Sequence, residues 1–532
     1  MTRPNFVLFI TDQHRADHLG CYGNEIVKTP HIDGIAARGT RFDRFYVATP
    51  ICMPNRATLM TGRMPSLHGA RQNGIPLALS ATTFVDLLAA AGYRTALIGK
   101  SHLQSMSPAA PEVGMPVPDP GLVQPPERLR EADKSWPTDG RYDQELAPNW
   151  ADPAHDLDLP YYGFQHVELC VNHGDKVVGH YSRWLAERRP DWKSLRGREN
   201  QLPGNEYVAP QAWRTAVPAE LYPTAYIAER AEAYLEDRAA RGDDAPFFLQ
   251  CAFPDPHHPF TPPGRYWDMY DPADIKLPRS FDLPQGKLPA PLAHILKERA
   301  DGKANRDGQR VIAVTEREAR EATALTYGMI TMIDDAVGRV LSALARAGLA
   351  ENTVVIFTAD HGDFMGDHQL MLKGALHYQS LVRVPFVWSD PAAARAASSE
   401  ALCGTIDIAQ TVLARAGVAA HNGNQGLDLA SAAAGDAAAH DAMLIEEHQR
   451  RGYMGMDNNF RARSLITDRH RLTIYEGVTD GELYDLRDDP DELVNLWDAP
   501  AARALREDLM ERLARKMMAM ADSSPLATHH GP

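Results

Sequence analysis

Four polar clusters and one compact motif carry the chemistry open to this sequence: Asp12-Gln13, Lys100-Ser101-His102, His257-His258, Asp360-His361, and Cys52-Met53-Pro54-Asn55-Arg56. Each of the four clusters follows an apolar run, namely NFVLFIT (5–11), TALI (95–98), PFFLQCAF (246–253) and TVVIFTA (353–359). In open α/β sheets ligands gather at the carboxyl ends of parallel strands, so polar residues at strand exits are candidate site residues. Taken singly, an aspartate after a strand is most often a turn or cap residue. Four such exits together point to one site. Asp12 and Asp360 offer carboxylates, Gln13 an amide oxygen and His361 an imidazole. This mixture suits one divalent cation, the oxygens being acceptable to Ca²⁺ or Mg²⁺ and the imidazole tilting the choice toward Mn²⁺. In the motif, Pro54 is placed to open a helix. Cys52 would then sit beside unpaired N–H groups and a positive dipole end, with Arg56 one turn on, which is a place for an anion. A lone cysteine before a helix is more often packing than catalysis, but this setting lowers a thiol pKa where the thiol is exposed.

These clusters need a scaffold that brings distant segments together. The run 5–11 is continuous and β-branched, as a buried parallel strand is. Residues 83–91 place Phe84, Leu87, Leu88 and Ala91 on one helical face, Gly92 closes that helix, and 95–98 is the next strand, giving a βαβ unit. Helices are predicted over 224–240 and 317–347, alternating with the strands 246–253 and 353–359. The fold class is therefore α/β, with a large, mostly parallel central sheet flanked by helices on both faces. Between 104 and 223 the sequence becomes rich in proline and aromatics, including Trp136, Trp150, Trp184 and Trp192, and reads as an insertion over the active edge of the sheet. Alanine dominates 391–439. Short alternating segments at 443–447 and 465–475 and an amphipathic run over 502–520 then predict a small C-terminal domain with an antiparallel sheet and a closing helix. The division falls near residue 435, giving domains 1–435 and 436–532.

Composition narrows the function. Of 532 residues, 55 are Lys or Arg and 70 Asp or Glu, a net charge of -15, so attraction to a phosphate backbone has no global source and nucleic acid is not an expected partner. The apolar run near the start is short and meets Asp12 at once, which fits neither a secretory core nor a membrane span, so a cytoplasmic protein with no membrane partner is expected. Five scattered cysteines read as reduced thiols.

The segment CMPNRATLMTGR resembles the Cys-x-Pro-x-Arg signature of the type I sulfatases and related phosphonate monoester hydrolases of the alkaline phosphatase superfamily. ITDQHRADHLGCYG, GKSHL, FPDPHHPF, YGMITMIDDAVGRVL, FTADHGDFMGDH, LKGALHYQSLVRVPFV and ELYDLRDDPDELVNL resemble further family blocks, in family order. The resemblance implies that a formylglycine-generating enzyme oxidises Cys52 to formylglycine, whose hydrated aldehyde is the nucleophile. It implies one divalent metal ion, Mn²⁺ or Ca²⁺, held by Asp12, Gln13, Asp360, His361 and the modified Cys52. Arg56 would hold the nucleophile and the anionic substrate, and Lys100, His102, His257 and Lys373 would surround the transferred group. Asn73, in HGARQNG, and His258 would bind substrate, His258 being a solvated neighbour of the working His257. His257, with Lys373 as the fallback, would protonate the leaving group, and His102 would take a proton from the second hydroxyl. Gln13 and His361 stand where many sulfatases carry aspartate and asparagine, which is more like the phosphonate branch. Asn55 replaces a frequent serine. The implied function is hydrolysis of small anionic sulfate monoesters, arylsulfatase-like, with phosphonate monoester and phosphodiester hydrolysis alongside. The alternatives are phosphonate hydrolysis as main activity, an unmodified thiolate phosphatase, and a non-catalytic anion-binding homologue. A homo-oligomer, dimer or tetramer, is expected.

Overall fold

A computed structural model of the chain describes residues 3–111, 119–129, 136–137, 139–204, 206–283, 287–393, 398–434, 439–450 and 459–529. Among these, nine strands form the main sheet. Its centre is parallel, in the order Thr353–Ala359, Asn5–Thr11, Phe247–Phe253, Arg94–Gly99, His166–Val171. Phe386–Ser389 then pairs antiparallel with Thr353–Ala359 and leads to Thr40–Phe42 and Ser398–Ser399. Val178–Gly179 closes the other side, antiparallel to His166–Val171. All seven residues of Asn5–Thr11 are buried because both sheet faces are covered. Side-chain alternation sends Phe6, Leu8 and Ile10 into one apolar cluster with Ala57, Leu59 and Leu88. Val7 and Phe9 go into another, with Ile227, Leu235, Ile333 and Val337.

The helices follow the sequence closely. Phe84–Ala90 and Glu316–Arg346 both open with reciprocal caps, Thr83 with Asp86 and Thr315 with Glu318, which satisfy the first free N–H groups. Pro223–Arg241 ends at Gly242, whose φ of 59° is the left-handed stop that glycine makes easily.

The segment 104–223 is more than a cover over the active edge. Its strands His166–Val171 and Val178–Gly179 extend the main sheet, and His180–Arg188 packs behind them. In HVELCV, Val167, Leu169 and Val171 alternate onto one face, a periodicity masked by the proline-rich sequence around it. Trp150 and Trp184 are buried packing residues.

Toward the C-terminus, Met443–Gln449, Phe460–Ile466, His470–Tyr475 and Gly481–Asp485 form a four-stranded antiparallel sheet, followed by the helix Arg503–Ala519. The apolar residues of this small sheet, Leu444, Leu465, Leu472 and Leu483, belong to the same cluster as Phe6 and Leu8. The boundary near residue 435 lies outside the described residues. No helix among the described residues is long and apolar enough to cross a membrane.

Candidate active site

The exits of four central strands meet at one end of the sheet. Asp12 and Gln13 leave Asn5–Thr11, Asp360 and His361 leave Thr353–Ala359, and Asp360 N–H donates to the Thr11 carbonyl at 3.0 Å. Register locks the two pairs side by side, since Thr11 lies opposite Ala359. Lys100 follows Gly99, which has φ 114°. A Cβ there would stand 1.9 Å from the Ala252 carbonyl oxygen, so only glycine lets this exit turn inward. The Cys52–Thr61 helix begins at Cys52 itself, with Ile51 extended before it, and brings Cys52 and Arg56 to the same point.

Cys52 is the hub. Its Sγ lies 3.7 Å from Asp12 Oδ1, 3.0 Å from His361 Nε2 and 2.9 Å from Lys373 Nζ. Arg56 Nε donates to Asp360 Oδ2 at 2.7 Å and its Nη1 to the Lys100 carbonyl at 3.1 Å. Arg56 Nη2 has no hydrogen-bond partner among the described residues, with Asp12 Oδ2 at 3.7 Å. The Lys100 ammonium is paired with Asp12. Lys373 Nζ also reaches Gln13 Oε1 at 3.2 Å, His257 Nε2 at 2.9 Å and His361 Nε2 at 3.1 Å. All of these side chains are buried.

Charge balance follows from this packing. Burial and Asp12 push the Cys52 thiol up, but Lys373, His361 and Lys100 outweigh them and hold it below its ordinary value. Burial likewise raises Asp12, yet the Lys100 ammonium, ahead of His257, a hydrogen bond from His173 and the Lys373 ammonium, keeps it well below the usual carboxylate range. His257 is held well below its ordinary value by burial, then by His173, His258 and Lys373.

One oxygen or nitrogen each from Asp12, Asp360 and His361, with the Cys52 sulfur, fall within 4.8 Å of one another. The Lys373 ammonium contacts three of the five expected ligands, so a cation already stands where the donors converge. His361 Nδ1 faces the Gly362 carbonyl at 2.8 Å, which fixes Nδ1 as a donor and turns Nε2, the nitrogen that could bind a metal, toward the cluster. This donor set fits a divalent cation.

Three of the remaining expected residues sit at the margin. His258 is fully buried, not solvated, with Nδ1 3.2 Å from the Gln13 amide nitrogen; the cis-proline turn that holds it folds inward rather than out. His102 is buried with Nδ1 unpartnered among the described residues. Asn73 is exposed, and its Oδ1 accepts the Met53 N–H at 3.2 Å, so it serves the start of the Cys52 helix.

Four residues join the site without having been expected. His173 stacks on His257 with ring centroids 3.7 Å apart and places Nε2 2.6 Å from Lys100 Nζ. It follows the strand His166–Val171 and is thus a fifth strand exit, a signal readable once that strand is recognised. Asp363 accepts the Gln13 amide N–H and the Met365 and Leu372 backbone N–H groups, at 2.9 and 2.8 Å, and so turns Gln13 Oε1 toward Lys373. Asn55 donates to the Asp360 carbonyl and accepts from Ala48 N and Thr405 Oγ1. Glu145, from the 104–223 segment, is fully buried; it accepts the N–H of His102, Leu103 and Gln104 and the Tyr161 hydroxyl.

The family model for sulfatases matches residues 4–418, and one for the C-terminal part of N-sulphoglucosamine sulphohydrolase matches 366–519. An arylsulfatase from Clostridium perfringens is 29% identical over 506 residues, covering 93% of this chain and 90% of that protein. A multifunctional alkaline phosphatase superfamily protein from Trinickia caryophylli is 27% identical, covering 100% of this chain and 98% of its own length. The crystal structure of a phosphonate monoester hydrolase from Agrobacterium radiobacter superposes with a TM-score of 0.76 at 26% identity, covering 98% of this chain and 96% of that one. Matched over most of its length, with its Cys-x-Pro-x-Arg motif set among side chains that could hold a metal ion, the chain belongs to the sulfatase family and is an ester hydrolase.

Proposed function

We propose that the chain hydrolyses organic sulfate monoesters through a formylglycine made from Cys52 beside one divalent cation, and turns over phosphonate monoesters and phosphodiesters as well. The observation that carries this is the place of Cys52, at the centre of Asp12, His361 and Lys373 and inside the Cys-x-Pro-x-Arg motif. Asp12, Gln13, Asp360, His361 and residue 52 would hold the metal. Oxygen-rich ligands with one imidazole suit Mn²⁺ or Ca²⁺. A bound dication would supply Lewis acidity at residue 52 and at the substrate's equatorial oxygens. A hydrated aldehyde at residue 52 would supply one hydroxyl for attack and a second for release of the product.

The chain's own groups do the rest. Arg56, fixed through Asp360, keeps its unpartnered Nη2 for an anionic oxygen, and Lys100 and Lys373 flank the transferred group with two more cations. Lys373 and His257, 2.9 Å apart, form the proton-donating pair for the leaving oxygen. With His257 held neutral, the proton starts on Lys373. His102 Nδ1, unpartnered and buried, is the acceptor for the hydroxyl proton at residue 52.

Gln13 and His361 favour a second reading, phosphonate monoester hydrolysis as the main activity. The Asp12–His173–His257 cluster favours a third, a second metal and an unmodified thiolate, although the Lys100 ammonium already occupies Asp12 and His173 there. Mass spectrometry of the tryptic peptide 45–56, from protein co-expressed with a formylglycine-generating enzyme, tests the nucleophile. Loss of the thiol mass with appearance of the aldehyde or hydrate is expected. Active protein with an intact Cys52 thiol would overturn the mechanism, and fast phosphonate turnover beside negligible sulfate turnover would select the second reading.

A further inference from the structure

Lys373 must hold its ammonium on four groups at once, at 2.9 to 3.2 Å, yet its backbone lies in an unfavourable turn. Leu372 and Ala375 have φ of 73° and 69°, in the left-handed region that residues with a Cβ avoid, and Gly374 lies between them at 101°. Surrounding groups must impose this turn. Asp363 holds the Leu372 N–H at 2.8 Å, and Val311 N–H binds the Lys373 carbonyl at 2.9 Å. On the far side the anchor comes from the small C-terminal sheet. Glu447, fully buried on Met443–Gln449, accepts the Ala375 N–H with both carboxylate oxygens, at 3.2 and 3.1 Å, and meets His377 Nε2 at 3.1 Å.

Glu447 is itself fixed from behind. The Gln449 amide donates to it, and its strand is tied to the segment that leads into the Cys52 helix by the Glu446 N–H on the Ala48 carbonyl at 2.8 Å. His377 Nδ1 lies 2.7 Å from Ser464 Oγ, which is 2.6 Å from Thr473 Oγ1, which accepts from Arg471 Nη1 at 2.7 Å. A rigid chain of hydrogen bonds therefore runs from the interior of the small sheet to the Lys373 turn.

We propose that Glu447 is a positioning residue for Lys373, and that the C-terminal sheet serves catalysis by holding that turn in its left-handed form. The proposal rests on the role given above to Lys373 in ester hydrolysis. Glu447 touches neither substrate nor reacting atoms; it acts through the Ala375 N–H and His377.

The test is a double-mutant cycle in the full-length, metal-loaded protein, with an aryl sulfate and an aryl phosphonate monoester as probes. Glu447→Gln keeps the shape but offers one acceptor oxygen in place of two, and is expected to lower kcat about 10- to 100-fold with KM changed less than about threefold, as a misplaced catalytic group does. In a Lys373→Ala background the same change is expected to cost less than about twofold, because the group it positions is gone. An equal loss in both backgrounds would mean general structural damage and overturn the proposal. So would an unimpaired Glu447→Gln beside an impaired Lys373→Ala, which leaves the Lys373 role standing. Wild-type kcat in Lys373→Ala would refute the role of Lys373 and this proposal with it. Ser464→Ala, which frees His377 from behind, is expected to give the same kcat-only loss on a smaller scale, about threefold, and keeps the test decisive if Glu447→Gln does not fold.

Discussion

Replacing Glu145 by glutamine removes one oxygen from the most heavily used carboxylate near the site. Glu145 Oε2 accepts the His102 N–H at 2.7 Å, while Oε1 accepts the N–H of Leu103 and Gln104, at 3.0 and 3.1 Å, and the Tyr161 hydroxyl at 2.6 Å. A glutamine can turn its single oxygen to the three-donor side, but its NH₂ then confronts the His102 N–H, donor against donor. Losing a hydrogen bond to a charged group costs about 1.5–3 kcal/mol, and leaving a buried N–H unpaired adds about 1–3 kcal/mol. The neutral side chain recovers part of this, since burial holds the Glu145 carboxyl above its ordinary value. The net destabilisation expected is about 2–4 kcal/mol, read from urea unfolding. His102 has φ 59°, so without its anchor the backbone relaxes and the imidazole moves, lowering kcat by about 10-fold or more. Tyr161→Phe is the control: it removes one outer hydrogen bond to the same carboxylate, costs about 1.5–3 kcal/mol and leaves kcat within about twofold. A Glu145→Gln protein with wild-type stability and kcat would refute the reasoning and mean that the turn at Gly99 alone sets the position of His102.

Other outcomes follow from the same geometry. Asp363→Ala frees the Gln13 amide to rotate and is expected to weaken metal binding about 10- to 100-fold in calorimetric titration of the metal-free protein, with unchanged affinity as the contrary result. Arg471→Leu leaves Glu482 and Glu492 buried without their shared cation, which should cost about 3–5 kcal/mol in urea unfolding. Burial, only partly offset by Arg471, holds the Glu492 carboxyl up at about 7 against an ordinary 4.5. The folded state then binds this proton more tightly than the unfolded chain, so its contribution is greatest below pH 4.5 and declines as pH rises to about 7, by an amount on the order of 2–3 kcal/mol. Glu492→Gln should flatten that decline in urea midpoints measured across this range.

The parts of the fold that could be read from sequence are those where one local signal has one reading. The runs 5–11 and 353–359 are continuous apolar stretches bounded by polar residues, and both are strands with those bounds. The polar pairs at their ends face each other because adjacent parallel strands end together. The Cys52 motif with Arg56 was legible as an anion site from its helix start, but Lys373, the formylglycine at Cys52 and the acid role of His257 were legible only through family likeness, since no spacing rule brings residue 373 to residue 52. Glu145, Asp363 and Glu447 were not legible at all. Each acts by accepting backbone N–H groups from chain segments remote in sequence or held in unusual turns, and a carboxylate in such a place looks like any other acid in a loop or strand. His258 was misjudged for a related reason, as a proline-bounded turn is usually exposed and this one is packed against Gln13.

The main sheet also bears on how copies of the chain can meet. Its two lateral borders are formed, among the described residues, by Val178–Gly179 and Ser398–Ser399, each only two residues long. At one border a Cβ on Gly179 would lie 2.4 Å from the Leu169 carbonyl oxygen, so the chain there is pressed against its neighbour and turns at once into the helix His180–Arg188. A long, flat border would offer a row of unpaired N–H and C=O groups on which another polypeptide could add as a further strand. Borders this short deny that template, so a parallel sheet buried in a protein of this size is protected from edge-to-edge growth by the way it stops.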